Sequence, residues 1–290
     1  MRKIVGFVVV CSPSWAFGAL NDVFPADYVS MPAETTVLTT YAYERHSSGP
    51  YAGGKQTTPW SLDASFGVFR FSRFFDLAGL RSAATVVTTY ANQQLDGTGI
   101  PSYVNKSASG WYDVRLSGTI WAINQPEARH YLGLNVTLLV PTGSYQADTI
   151  QNVGENRWRA ASSFGWIRGI GNRWTTEAIG ELAWYGSNDA YFPGHKNRQQ
   201  ALTAALTSYL RYRWEDGFQT YVGYQWNAGG ETKIDGVSQN DSARSHRASV
   251  GIIYPITPGH ILNLRIAKDV KLENGFKTDK EIAARWLVYF

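Results

Sequence analysis

Cysteine is nearly absent from the 290 residues: Cys11 is the only one, inside an apolar run near the start. A disulfide scaffold is therefore excluded, and an exported chain must draw its stability from continuous hydrogen-bonded structure instead. Charged residues make up 17% of the chain, where about a quarter is usual for a soluble domain. No apolar run approaches the ~18 residues of a transmembrane helix, so a membrane could be crossed only by strands. Metal-ligand clusters, phosphate-cradling glycine loops and paired-carboxylate signatures are missing too, and no cofactor or metal is expected. The formal net charge of +4 falls to +2 when Arg2 and Lys3 are set aside, which removes the case for a nucleic-acid partner.

Arg2 and Lys3 precede Ile4–Cys11, and small residues follow at Ser14, Ala16, Gly18 and Ala19. Cations, a short greasy core and a small-residue exit form a secretory signal peptide, residues 1–19, leaving 20–290 as one domain. At the other end, Phe290, Val288, Trp286, Ala284 and Ile282 alternate with Tyr289, Leu287, Arg285, Ala283 and Glu281. Alternate side chains of a strand face opposite ways, so one face is apolar and the other carries a cation and an anion. A terminal Phe behind such a strand looks like the closing strand of a bacterial outer-membrane barrel. It would be the element read by the barrel-assembly machinery.

Between these ends the same alternation recurs. Val114, Leu116 and Ile120 oppose Asp113, Arg115 and Ser117, and Leu132 through Val140 oppose Tyr131, Gly133, Asn135 and Thr137. Trp158, Phe164 and Trp166 oppose Arg159 and Ser163; Trp174, Leu182 and Trp184 oppose Glu177 and Glu181; Leu206, Leu210 and Trp214 oppose Arg211 and Arg213. Trp174 and Trp184 share a face ten residues apart. At about 3.3 Å per residue and roughly 40° tilt, they span on the order of 25 Å, the height of a barrel's apolar band. Earlier strands are less clear: Val37, Thr39, Tyr41 and Tyr43 share a face, Leu62 to Val68 keep phase, and the phase then breaks, as a bulge near Gly67 would cause. Connections alternate between tight turns and long polar loops, the latter including 46–59, 141–156, 186–199, 227–243 and 269–279. One connection, Phe74–Ser82, is longer than a turn should be. The expected fold is all-β: a transmembrane antiparallel up-and-down barrel of about twelve strands, wetted by outer-membrane lipid, with both termini periplasmic.

The segment Tyr131–Trp166 is more specific. Pro141-Thr142-Gly143 ends an apolar strand and is followed by Tyr145, Asn152, Gly154 and Asn156-Arg157-Trp158. This resembles the family of outer-membrane proteins named for the meta-pathway of phenol degradation; Ser109–Asp113 and Ala26-Asp27-Tyr28 with Pro32 are similar to weaker signatures. The resemblance implies an outer-membrane barrel tied to uptake of aromatic compounds.

The inward set comprises Asp113, Arg115, Arg159, Glu177, Glu181, Arg211, Arg213, Arg247, Arg265, Glu281 and Arg285. Its arginine excess suits a cationic path for anionic or polarisable small solutes, while the alternative is a closed lumen of mutually paired side chains. Trp111 and Trp121 fall in the inward phase, where they would stack on an aromatic solute; a one-residue change of register would place them in a girdle instead. Residues 21–33 are either a lead-in or a segment folded back into the lumen. An enzyme is not expected: among five histidines the nearest pairing is His195 with Asp189, in one loop. The expected function is passive solute uptake across the outer membrane. The alternatives are a closed structural or surface-interaction barrel and, third, a hydrolase.

Overall fold

The computed structural model describes residues 22–290, so the expected signal peptide lies outside it. Among those residues no helix is long and apolar enough to cross a membrane. The strands, in chain order, are β1 (Thr36–Ala52), β2 (Lys55–Leu77), β3 (Leu80–Asp96), β4 (Ser107–Trp111), β5 (Val114–Gln125) and β6 (His130–Val140). They continue as β7 (Arg159–Ile170), β8 (Trp174–Tyr185), β9 (Asn188–Tyr191), β10 (Lys196–Gln200), β11 (Thr203–Arg213) and β12 (Gln219–Gly229). The last are β13 (Thr232–Ile234), β14 (Val237–Ser238), β15 (Ala243–Thr257), β16 (His260–Leu272) and β17 (Gly275–Tyr289).

Twelve antiparallel staves make the wall, because β4 and β5 both pair with β3 and act as one interrupted stave. β17 pairs with β1 and β2 pairs with β3, so the sheet closes on itself. Closure leaves no free sheet edge, which is what hydrocarbon demands of a backbone it cannot solvate. Thr36 and Phe290 exchange backbone hydrogen bonds of 2.8 and 3.0 Å at the seam, at the end that carries the tight turns. The remaining strands, β14-β13-β10-β9, form a small sheet within the long loops of the opposite end.

The outer face carries an apolar band: Leu134, Val136, Leu138, Phe164, Leu182, Leu206 and Leu210 are all exposed. Trp174, Tyr212 and Trp214 stack edge-on near one rim, with ring centroids 4.7 Å apart in each successive pair. Trp111 meets Tyr90 near the other rim. Large apolar side chains facing outward would be a fault in water and are the rule in lipid.

Four expectations need correction. β2 pairs with β1 and β3 in continuous register through Gly67, so there is no bulge there. Leu62, Ala64, Phe66 and Val68 simply continue inward to Ser72 and Phe74, while Phe69 and Phe71 face out. The supposed loop 46–59 is strand, with β1 and β2 joined by the two-residue turn Gly53-Gly54 at φ 58° and 80°, as a type I′ turn requires. The long connection Phe74–Ser82 is likewise a tight turn, Ala78-Gly79, and β16 and β17 run through most of 269–279.

Candidate functional site: the filled lumen

The chain ahead of β1 runs inside the barrel. Phe24 and Tyr28 are buried there, so residues 22–33 fold back into the lumen rather than lead away from it. Their grip is electrostatic at several points. Arg265 donates to Asp22 at 2.8 Å, and Arg285 donates to Asp27 at 2.7 Å and to the Pro25 carbonyl at 3.3 Å. Both guanidinium groups lie over the Phe24 ring, at 4.0 and 5.0 Å from its centroid, a cation–π arrangement away from bulk water. The Ala26 N–H donates to both carboxylate oxygens of Glu177, at 3.1 and 3.0 Å.

Tyr28 is seated by what the wall omits. A methyl group on Gly165 would lie 2.0 Å from its ring, and one on Gly133 would lie 2.7 Å away. These two glycines are paired across β6 and β7. Their missing side chains leave the recess that the ring fills, with its hydroxyl 2.9 Å from Ser163 Oγ.

The charged side chains on the inner wall pair with each other and with this segment. Glu281, fully buried, receives Arg45 at 2.9 Å and Arg265 at 2.9 Å, with Arg247 at 3.5 Å. Arg247 also bonds Asp269 at 2.8 Å, and Arg211 bonds Glu177. Glu181 is buried on the same face as Glu177, and Arg115 lines an inner chamber. Arg213 sits at the tight-turn rim, where it is exposed and donates to the Asn172 carbonyl at 2.7 Å. Counting the strands alone leaves arginine in excess. The missing carboxylates come from Asp22, Asp27 and Glu155, which lie outside the strands, and from Asp269, which continues the inward phase of Arg265 on β16.

Asp113 interrupts the β4–β5 stave and acts as a loop clamp. Its two oxygens accept the backbone N–H groups of Gly143 and Glu155, at 2.8 and 2.7 Å. Gly143 and Gly154 are in backbone contact beside it, and an added methyl on either would come within 2.8 Å of its surroundings. The distinctive Pro141–Trp158 motif is thus the fold of this loop. Glu155 in turn binds Arg157 at 2.7 and 2.8 Å, Arg159, and the Tyr112 hydroxyl at 2.5 Å. Burial raises its carboxyl pKa, but the two guanidinium groups outweigh that and hold it at about 2.

The two tryptophans part company. Trp111 is 48% exposed on the outer face, because Tyr112 and Asp113 break the stave between it and Trp121. Trp121 does face inward, 3% exposed, but it stacks on Phe74 at 5.5 Å and donates to the Tyr28 carbonyl at 2.9 Å. It serves the inserted segment rather than an open path. His195 does not meet Asp189: it lies 3.9 Å from Asp148, while Asp189 accepts from Asn197. Among the described residues no group of His, Cys, Asp and Glu could hold a metal ion.

Sequence reasoning missed Arg45 and Arg70. Arg45 shares parity with Tyr41 and Tyr43, and Arg70 with Phe66 and Val68, so carrying each phase two residues further would have reached them.

The family described as "Putative MetA-pathway of phenol degradation" matches residues 47–285. An outer-membrane channel from Pseudomonas putida F1 is similar in structure at TM-score 0.87 and 26% identity, over 93% of this chain and 100% of that one. The β domain of the Bordetella autotransporter BrkA is similar at TM-score 0.55 and 13% identity, over 89% of this chain and 100% of its own. The transport unit of the Escherichia coli autotransporter AIDA-I is similar at 0.53 and 14%, over 93% and 94%. The last two show the fold alone. No protein of curated function matches the chain. The barrel is an outer-membrane, channel-like one.

Proposed function

The chain belongs to that phenol-degradation family, and on this premise we propose that it is a conduit for passive uptake of small solutes, aromatic or anionic compounds among them. The observation that carries the reading is that the inserted segment does not fill the lumen. Chambers of about 80 Å³ and 260 Å³ remain on either side of it, and the second continues toward the tight-turn rim through a third that shares Val29, Arg211 and Gln219. The segment is held by ion pairs, hydrogen bonds and two buried rings, and among the described residues no covalent cross-link ties it to the wall. Arginines along this route, Arg70, Arg115, Arg211 and Arg285, would favour anions. The tight turns, both mature termini and the Phe290 seam would face the periplasm, the long loops would face outward, and residues 1–19 would be removed on export.

The test is conductance of the purified protein in planar bilayers, where an anion-preferring current is expected. The inserted segment also favours a second reading, a closed barrel whose long loops are the working part. Silence at several voltages, with loss of function on trimming 227–243, would select it.

A further inference from the structure

The two chambers on either side of the inserted segment share only two lining residues, Asp27 of that segment and Arg70 of β2. Their contact stands where the two chambers meet. It is the looser of the two ion pairs that hold Asp27: Arg285 reaches Asp27 Oδ1 at 2.7 Å, whereas Arg70 stands 3.4 Å from the same atom. Arg70 also differs from its neighbours in accessibility. Its side chain is 29% exposed, against 5% and 4% for Arg265 and Arg285, which grip the same segment. Inside a closed wall that exposure is toward the chambers. Its one other polar contact given by the structure is a 3.2 Å bond to the Tyr41 hydroxyl.

The chamber on the loop side has two characters. Tyr43, Phe66, Val68 and Val87 supply an apolar, partly aromatic wall, with Tyr43 and Phe66 edge to face at 6.2 Å. Arg70 and Arg115 supply two guanidinium groups. A planar fork recognises a carboxylate through two parallel bonds, and an adjacent ring face accepts a flat apolar body. We propose that this chamber is a binding site for small organic carboxylates with a flat apolar body, and that Arg70 reads the carboxylate by exchanging it for Asp27. Asp27 then acts as a tethered stand-in for the ligand. When a solute carboxylate takes Arg70, Asp27 keeps its shorter bond to Arg285, so no carboxylate is left buried without a cation. The proposal rests on the conduit reading for the ligand's route, but the site itself can be assayed without it.

Full-length protein in detergent is titrated with benzoate by calorimetry, with benzyl alcohol and benzylamine as neutral and cationic probes of the same body. Benzoate is expected to bind, and each of the other two to bind about tenfold more weakly or worse, the worth of one charge-assisted contact. Arg70→Ala should weaken benzoate by about tenfold, and Arg70→Lys, which keeps the charge but not the fork, by less. Asp27→Asn removes the competitor and should strengthen binding. Absence of benzoate binding, equal binding of benzyl alcohol, an unchanged affinity in folded Arg70→Ala, or a weakened one in Asp27→Asn would each overturn the proposal. Should Arg70→Ala fail to fold, the lysine and asparagine variants decide it by the same signs. Bilayer recordings separate the two ideas: a protein that binds benzoate but never conducts keeps the site and loses the conduit. One that conducts but does not bind benzoate keeps the conduit and loses the site.

Discussion

Gly165→Ala should open the lumen. The added methyl would lie 2.0 Å from the Tyr28 ring and 2.3 Å from a second ring atom, far inside van der Waals contact. The wall cannot retreat, since Gly165 is held in register between Gly133 and Ile179 of the flanking staves. The ring must therefore leave its recess. Burying a tyrosine removes about 150–250 Å² from water, worth roughly 4–6 kcal/mol at ~25 cal/mol per Å². Freeing roughly two or three residues around Tyr28 returns conformational entropy of about 1–2 kcal/mol each, so the net shift is on the order of 2 kcal/mol, roughly 30-fold in population. Single-channel recordings should show a higher open fraction or a larger conductance, with the barrel's heat-modifiable gel mobility retained. A Tyr28→Ala background removes the clash, so Gly165→Ala should then have little further effect. If the glycine substitution acts equally with and without the Tyr28 ring, its effect is on the wall and the seat is misassigned.

Glu281→Gln leaves Arg45, Arg265 and Arg247 around a neutral group and should cost about 3–5 kcal/mol of barrel stability, read as a lower midpoint in urea unfolding from lipid vesicles. Val136→Arg, on the lipid face where Val136 is 62% exposed, should cost about 2–4 kcal/mol in the same assay if that position lies near the bilayer midplane. Acid should loosen the 141–158 loop: because the folded Glu155 carboxyl titrates at about 2, below its ordinary 4.5, its stabilisation is complete above about 4.5 and is lost as pH falls toward 2. Pepsin cleavage of that loop should therefore accelerate over this window, and Glu155→Gln should be cleaved readily at its upper edge.

The legibility of the strands tracked the contrast between their faces. In β5 to β8 and β11 the outer set is apolar and the inner set polar, so a two-residue period stands out. In β1 to β3 it does not, because the inner face is also apolar: Tyr41, Tyr43, Phe66, Val68 and Leu95 are buried in clusters with Phe24 or with the loops. A period vanishes when both faces are greasy, and Phe69 and Phe71 beside Phe66 then looked like a phase break. The ends of β1 and β2 fail for the opposite reason. Beyond the bilayer both faces meet polar surroundings, and residues 46–59 read as loop. Trp111 was misplaced by parity alone, since nothing in Tyr112-Asp113 marks a break until Asp113 is seen holding Gly143 and Glu155. Three of the carboxylates that balance the arginines, on Asp22, Asp27 and Glu155, lie in segments without period, which strand alternation cannot reach, whereas Asp269 continues β16 just past Lys268 into residues that read as loop.

The central claim is a transmembrane conduit whose conductance is set by the segment folded into it. Planar-bilayer recordings of the intact protein beside one lacking residues 22–33 test it most directly, with both shown to be folded by heat-modifiable mobility. A small anion-preferring current is expected for the first and a severalfold larger one for the second. Two silent barrels, or two equal currents, would contradict it.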